Sequence, residues 1–208
     1  MMKVAVAIHA VKDFTPDIIA HLKDLDFIHV DVMDGKFVDN INLNLNAFKL
    51  LKRRYDIPIV AHLMVINPLE YLSKIADYIE LFLFHVEIEQ NIDEIINQVK
   101  KRNLKVGLVI NPPTKIEKII PYLPKINSIL VMSVNPGWSG QKFIPEVVEK
   151  INSLVDYKNK FDFEIIVDGG INLNNAKLLI NADVLSSSST ILNSTDPNLV
   201  IEKLKNIK

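Results

Sequence analysis

The chain has 208 residues, 49% hydrophobic and 24% charged, a balance that suits one packed core and excludes a disordered or fibrous protein. A net charge of -1 with both signs interspersed leaves no basic stripe for a nucleic-acid backbone, and the longest apolar stretch, residues 78–88, is interrupted by Glu80, His85 and Glu87 and too short to cross a bilayer. The absence of cysteine excludes disulfides and thiolate metal sites, so any metal must be held by His, Asp or Glu.

Residues 1–7 run straight into strand-like sequence without a longer apolar core or a small-residue cleavage site, which makes a cytoplasmic location the expectation. Short β-branched runs then alternate with longer amphipathic stretches. A strand is expected at 4–8 and a helix at 15–25 with Pro16 in its first turn; a second strand follows at 27–31 and a helix at 47–55. The third strand is expected at 59–63, with Pro68 suited to a helix start, and the fourth at 79–86, after which Asn91 caps a helix at 92–102. Strands at 105–110 and 128–132 flank a polar cap at Thr114; Pro145 opens a helix at 145–157. A strand at 164–168, a helix at 173–181 capped by Asn172, and a strand at 184–186 complete the series. Eight strands alternating with helices in one domain, residues 1–208, predict a closed (β/α)8 TIM barrel. A doubly wound open sheet would use fewer strands and a glycine-rich first turn, and residues 9–14 contain no glycine.

In such a barrel the chemistry sits at the C-terminal strand ends. Strand side chains alternate, so His29, Asp31 and Met33 share one face at the end of the second strand, and His62 and Met64 share one at the end of the third. Asp168 ends the seventh strand and is followed by Gly169 and Gly170. One histidine at a strand end is ordinarily a hydrogen-bonded structural residue, but two imidazoles and two carboxylates on three strand ends form a set suited to one divalent ion, Zn, Fe, Mn or Co. Asp34 reads as the cap of a turn with Gly35, and Met33, Met64 and Met132 read singly as core filler. Gly137, Trp138, Ser139 and Gly140 after the sixth strand, Gly169 and Gly170 after the seventh, and Ser188 and Ser189 after the eighth stand where barrels hold phosphate, through glycine's close backbone approach and helix N-termini. A phosphorylated small molecule is the expected substrate.

The runs His29-Val30-Asp31-Val32-Met33-Asp34-Gly35-Lys36-Phe37-Val38, His62-Leu63-Met64 with Asn67-Pro68, His85-Val86-Glu87, Asn111-Pro112, Met132-Ser133-Val134-Asn135-Pro136-Gly137 and Val167-Asp168-Gly169-Gly170-Ile171-Asn172 resemble, in order and spacing, the ribulose-phosphate 3-epimerase family over nearly the whole chain. The resemblance implies a barrel of the ribulose-phosphate-binding type and interconversion of D-ribulose 5-phosphate and D-xylulose 5-phosphate, a step of the pentose phosphate pathway, by proton transfer at C3 through an enediolate. It implies His29, Asp31, His62 and Asp168 as ligands of one divalent metal and Asp31 and Asp168 as the acid and base pair. Met33, Met64 and Met132 would line the site, the loop carrying Trp138 would fold over the substrate, and the chain would form a homo-oligomer.

The chain departs from the family pattern in three places. Ala7 stands where the family's first strand carries a serine, and His9, two residues on and on the same face, is either a donor in its place or a structural neighbour of the site. Ser139 replaces a favoured glycine, and residues 186–189 replace a segment that normally contains Gly-Ser; a left-handed backbone at Ser188 would strain phosphate binding. A ketohexose-phosphate 3-epimerase of the allulose-6-phosphate type and a non-catalytic phosphosugar-binding barrel stay open as alternatives. A metal-independent lyase calls for a lysine at a strand end, and Lys105 lies at a strand start instead.

Overall fold

A computed structural model describes residues 1–207 of the chain. Its elements are β1 (Lys3–His9), β2 (Phe27–Asp34), β3 (Ile41–Asn42), α1 (Asn46–Arg54), β4 (Ile59–Met64), α2 (Leu69–Ile75), β5 (Leu81–His85), α3 (Ile92–Lys100), β6 (Lys105–Ile110), β7 (Ser128–Met132), α4 (Val147–Lys158), β8 (Glu164–Asp168), β9 (Val184–Ser187), α5 (Ser189–Leu192) and α6 (Pro197–Lys205). Eight strands run parallel in the order β1-β9-β8-β7-β6-β5-β4-β2, and pairing of β1 with β2 closes the ring into the (β/α)8 barrel that the alternation predicts. The remaining strand, β3, lies antiparallel on β2 through Met33 and Asn42, and at two residues it is too short to leave a periodic signal.

Alternation along each strand builds two cores. Val4, Val6, Ile8, Ile28, Val30 and Val32 point outward into the layer shared with the helices, whereas Ala5, Val60, Leu83, Val109, Leu130, Ile166 and Val184 fill the barrel. Burial on both faces is why the strands read as almost unbroken apolar runs. Gly107 belongs to the inner packing, since a Cβ there would lie 2.2 Å from Ser128 Oγ and 2.6 Å from Leu83 Cδ2. The registers set Ala7 beside His29, His9 and His62 on either side of Asp31, Met33 beside Met64, and Met132 and Ser186 on either side of Asp168. The inward polar residues therefore form one layer at the C-terminal mouth of the barrel.

The helices depart from expectation more than the strands do. The helix expected at 15–25 is a single 3-10 turn, Pro16–Ile19, in which only Ile19 is buried, so packing gives little support for further turns; Asp24 then takes a left-handed backbone. The helix expected at 173–181 shrinks to the 3-10 turn Ala176–Leu178. Here Asn172 Oδ1 accepts the N–H groups of Asn174 and Asn175, while Asn175 Oδ1 accepts that of Asn172, and such side chains compete with helical bonding. Asn91 caps α3 by accepting the Glu94 N–H at 3.2 Å, and Asp196 does the same for α6 with Leu199. Thr114 caps no helix: Lys115 precedes the turn Ile116–Lys118.

Candidate active site and metal centre

The four residues of the ligand set converge in the floor of the barrel mouth, all buried. His62 Nδ1 lies 2.9 Å from Asp31 Oδ1, His29 Nε2 lies 3.1 Å from the same oxygen, and the two nitrogens are 3.2 Å apart. Asp168 Oδ2 approaches from β8, 3.9 Å from His29 Nε2 and 4.0 Å from His62 Nδ1, and one ligating atom from each of the four residues lies within 4.8 Å of the others. Three heteroatoms in a triangle at these spacings leave no room for three linear hydrogen bonds, whereas one cation can be shared by all of them. Two nitrogens and two carboxylate oxygens fit a borderline divalent ion, so the residues present suit the metal that the sequence implies.

The electrostatics of the cluster are asymmetric. Burial works to raise the Asp31 carboxyl, but His29 and His62 beside it outweigh this and hold it far below the usual carboxylate range. Burial raises Asp168, with the opposing pull of His29 insufficient to offset it and the charge of Asp31 adding to it. Burial alone would depress His29, yet Asp168 and Asp31 together raise it; His62 is left below its ordinary value by burial, despite its bond to Asp31. The two carboxylates are thus pushed apart in proton affinity by their surroundings.

Above this floor lies a cavity that collects nearly every other residue singled out in the sequence. Met33 and Met64, packed with Val38, and Met132, at the top of the inner core, form its apolar wall. His9 stands at its edge with Nε2 3.5 Å from Asp31 Oδ2, and Ala7 below it presents no polar atom. On the other side Gly137, Trp138, Ser139, Gly140, Gly169, Gly170, Ser188 and Ser189 line the cavity, while His29 and His62 lie beneath it. Asn40 Nδ2 donates to Gly137 O at 2.7 Å and Gln141 Nε2 to Trp138 O at 2.8 Å, which ties down the loop that carries the 61% exposed Trp138. Ser188 has φ -106°, outside the left-handed region, so serine stands there without the strain that a glycine requirement would bring. By helix geometry the N–H groups of Ser189 and Thr190 at the start of α5 have no partner within that helix.

Residues 6–192 match the family model described as the Ribulose-phosphate 3 epimerase family. The chain belongs to this family. It is 37% identical over 185 residues to ribulose-phosphate 3-epimerase of Methanocaldococcus jannaschii, spanning 87% of this chain and 79% of the relative. It is 34% identical over 189 residues to the enzyme of that name from Bacillus subtilis, spanning 88% and 87%. Among solved structures, 3-hexulose-6-phosphate synthase from Salmonella typhimurium superposes with a TM-score of 0.74 over 99% of this chain and 98% of that one at 17% identity, a likeness of fold alone. No helix among the described residues is long and apolar enough to cross a membrane.

Two further features of this epimerase-family site escape the sequence reading, and a third bears it out. Ser186, beside Asp168 in the sheet register, lines the cavity with a buried hydroxyl that has no hydrogen-bond partner among the described residues. His85 and Glu87, two apart at the end of β5, extend inward behind His62, with His62 Nε2 3.0 Å from His85 Nε2 and His85 Nδ1 3.2 Å from Glu87 Oε2. Their period-two spacing after a strand was the available signal. Asp34 does cap its turn, accepting the N–H groups of Lys36 and Phe37 at 2.8 Å beside Gly35 at φ +72°, and its second oxygen accepts the Ile66 N–H, so it fastens the loops after β2 and β4 together.

Proposed function

We propose that the chain, as one domain spanning residues 1–208, is a metal-dependent epimerase that interconverts D-ribulose 5-phosphate and D-xylulose 5-phosphate by proton transfer at C3. The observation that carries this reading is the convergence of His29, Asp31, His62 and Asp168 under the mouth of a barrel that belongs to the ribulose-phosphate 3-epimerase family. A bound Zn, Fe, Mn or Co ion supplies Lewis acidity toward the oxygens next to the carbon that loses its proton. Asp31 and Asp168 reach the cavity from β2 and β8, with β1 and β9 between them, so that one carboxylate takes the C3 proton and the other returns one to the opposite face. Met33, Met64 and Met132 exclude water from the reacting carbons. Backbone N–H groups around Gly137, Ser139, Gly140, Gly169, Gly170, Ser188 and Ser189 hold the phosphate, Trp138 covers it, and His9 donates to a substrate hydroxyl from the position nearest Asp31. The same reading gives a cytoplasmic protein that forms a homo-oligomer, and sedimentation of the purified protein tests the oligomeric state.

The deciding measurement is exchange of the C3 proton of D-ribulose 5-phosphate with solvent deuterium, using protein loaded with each of the four metals and the Asp168→Asn variant. Exchange that depends on metal, yields xylulose 5-phosphate and vanishes in the variant supports the reading. Exchange only on a ketohexose phosphate moves the substrate assignment, and no exchange on either sugar overturns the enzyme reading in favour of a binding barrel.

A further inference from the structure

The pair of a buried His85 and a partly buried Glu87 is polar and unused by the proposed proton transfers. His85 is 0% exposed, its ring meets that of His62 edge to edge through the two Nε2 atoms, with centroids 5.1 Å apart and planes 26° from parallel, and Phe37 packs against it at 4.5 Å. Glu87 is fixed from behind, because its Oε1 accepts the Asn111 N–H at 2.9 Å. The loop that supplies this N–H is braced by Lys150, whose Nζ donates to the carbonyls of Asn111, Pro112 and Thr114 at 2.7–2.9 Å. As neutral imidazoles the two rings each have one N–H and one lone pair, and the 3.0 Å contact between their Nε2 atoms needs one of each.

With a cation shared by His62 Nδ1 and Asp31 Oδ1, these contacts fit one pattern of protons. An ionised Glu87 only accepts, so the contact at 3.2 Å requires the N–H of His85 on Nδ1. His85 Nε2 is then a bare lone pair, and the 3.0 Å contact to His62 Nε2 requires the His62 proton on that nitrogen. His62 Nδ1 is left as a lone pair aimed at the ligand cluster, 2.9 Å from Asp31 Oδ1 and 3.2 Å from His29 Nε2. In the other tautomer Nδ1–H would point at Asp31 and block ligation. It would also force the His85 proton onto Nε2 and set a bare Nδ1 against the Glu87 carboxylate. We propose that Glu87, acting through His85, is a positioning device that holds His62 in the Nε2–H tautomer and so presents Nδ1 to the metal. The inference rests on the metal-dependent reading above and adds to it two residues that touch neither substrate nor metal.

The test is Zn2+ affinity, measured by competition with a chromogenic chelator, for the wild type and the His85→Leu, His85→Gln and Glu87→Gln variants, with imidazole 15N shifts of the Zn-loaded wild type as a second readout. Loss of an outer hydrogen-bond partner to a ligating histidine weakens metal binding about 10–100-fold, and that loss is expected for His85→Leu. His85→Gln, whose carbonyl can accept from His62 while its amide donates to Glu87, is expected to recover most of it, which a purely packing role for the ring does not predict. Glu87→Gln, able to accept or donate, is expected to fall between the two. The 15N spectrum is expected to show protons on His62 Nε2 and His85 Nδ1, and it needs no variant, so the idea remains testable if His85→Leu does not fold. Equal Zn2+ affinity in wild type and His85→Leu, no recovery in His85→Gln, or a proton on His62 Nδ1 overturns the relay alone. Failure of the wild type to bind Zn2+ overturns the metal reading together with it.

Discussion

Gly169 follows Asp168 directly, and its replacement by alanine separates two costs that the structure places at one residue. Its φ of +116° is a conformation that side chains seldom adopt, a strain of about 1–3 kcal/mol. A Cβ there would also meet Val134 Cγ2 at 2.5 Å and Val134 N at 3.0 Å, and overfilling of this kind adds about 1–3 kcal/mol. Relief by movement is restricted, because Ser133 N–H donates to Asp168 O at 2.8 Å and Ser133 Oγ to Gly169 O at 2.6 Å, so pushing Val134 away pulls on the peptide that carries Asp168. Gly169→Ala is therefore expected to cost roughly 3–4 kcal/mol. Gly140→Ala serves as control, since its φ is +77° but nothing lies within 4 Å of the added Cβ, leaving a cost of about 1–2 kcal/mol for the left-handed backbone alone. Val134→Ala in the Gly169→Ala background removes the Cγ2 clash and should make the double variant more stable than the sum of the single changes predicts. Urea unfolding followed by far-UV circular dichroism gives these values; fluorescence does not serve, because the single tryptophan, Trp138, is 61% exposed on a loop. A Gly169→Ala cost equal to that of Gly140→Ala, together with no coupling to Val134, would refute the packing argument.

A divalent ion at about 100 times its dissociation constant should stabilise the wild type by about 2.7 kcal/mol, and Asp168→Asn should lose most of that gain in a thermal melt with and without metal. Ser188→Gly, at the N-cap of α5 where the side chain makes no cap bond, should lower stability by about a few tenths of a kcal/mol without tightening phosphate binding, because φ -106° lies outside the left-handed region; tighter inorganic phosphate binding in the variant would contradict this. Burial pushes Glu87 up, but the His85 ring and the Asn111 N–H outweigh it and hold the carboxyl below its ordinary 4.5. A folded-state value below the unfolded one stabilises the fold above pH 4.5 and loses that contribution as pH falls through the folded value. The melting-temperature gap between wild type and Glu87→Gln, measured with chelator present, should accordingly be widest near neutrality and close in acid; a gap that widens in acid reverses the sign.

The barrel and the convergence of His29, Asp31, His62 and Asp168 were legible because both rest on a period of two. Once β2 and β4 are recognised as strands, alternation alone puts His29 with Asp31 and gives His62 the same choice of face; closure of the ring by β1 and β2 then makes that face the interior. The helices at 15–25 and 173–181 were misread because apolar spacing records which residues could pack. It does not record whether a sheet surface lies in reach, or whether a cluster such as Asn172, Asn174 and Asn175 satisfies the backbone first. His85 and Glu87 lay in plain view as a motif, but their use depends on β5 standing next to β4 with His85 two residues beyond Leu83, the partner of His62.

The departures from the family pattern separate in the same way once backbone angles are known. Gly137, Gly140, Gly169 and Gly170 all have positive φ, and a Cβ on Gly170 would lie 2.8 Å from Gln141 O and Phe143 N, so glycine at these positions is fixed by conformation or by close approach. Ser139 and Ser188 are not among the residues with positive φ, so neither of the two serines that replace family glycines occupies the left-handed region that favours glycine. Residue identity alone groups all six positions as one lining rich in glycine and serine. The difference between a glycine that the turn requires and one that merely fits lies in a dihedral angle that residue identity does not encode. The cavity lining accordingly carries hydroxyls at Ser139 and Ser188, while Ser133 fastens the backbone of Asp168 and Gly169 from the neighbouring strand end.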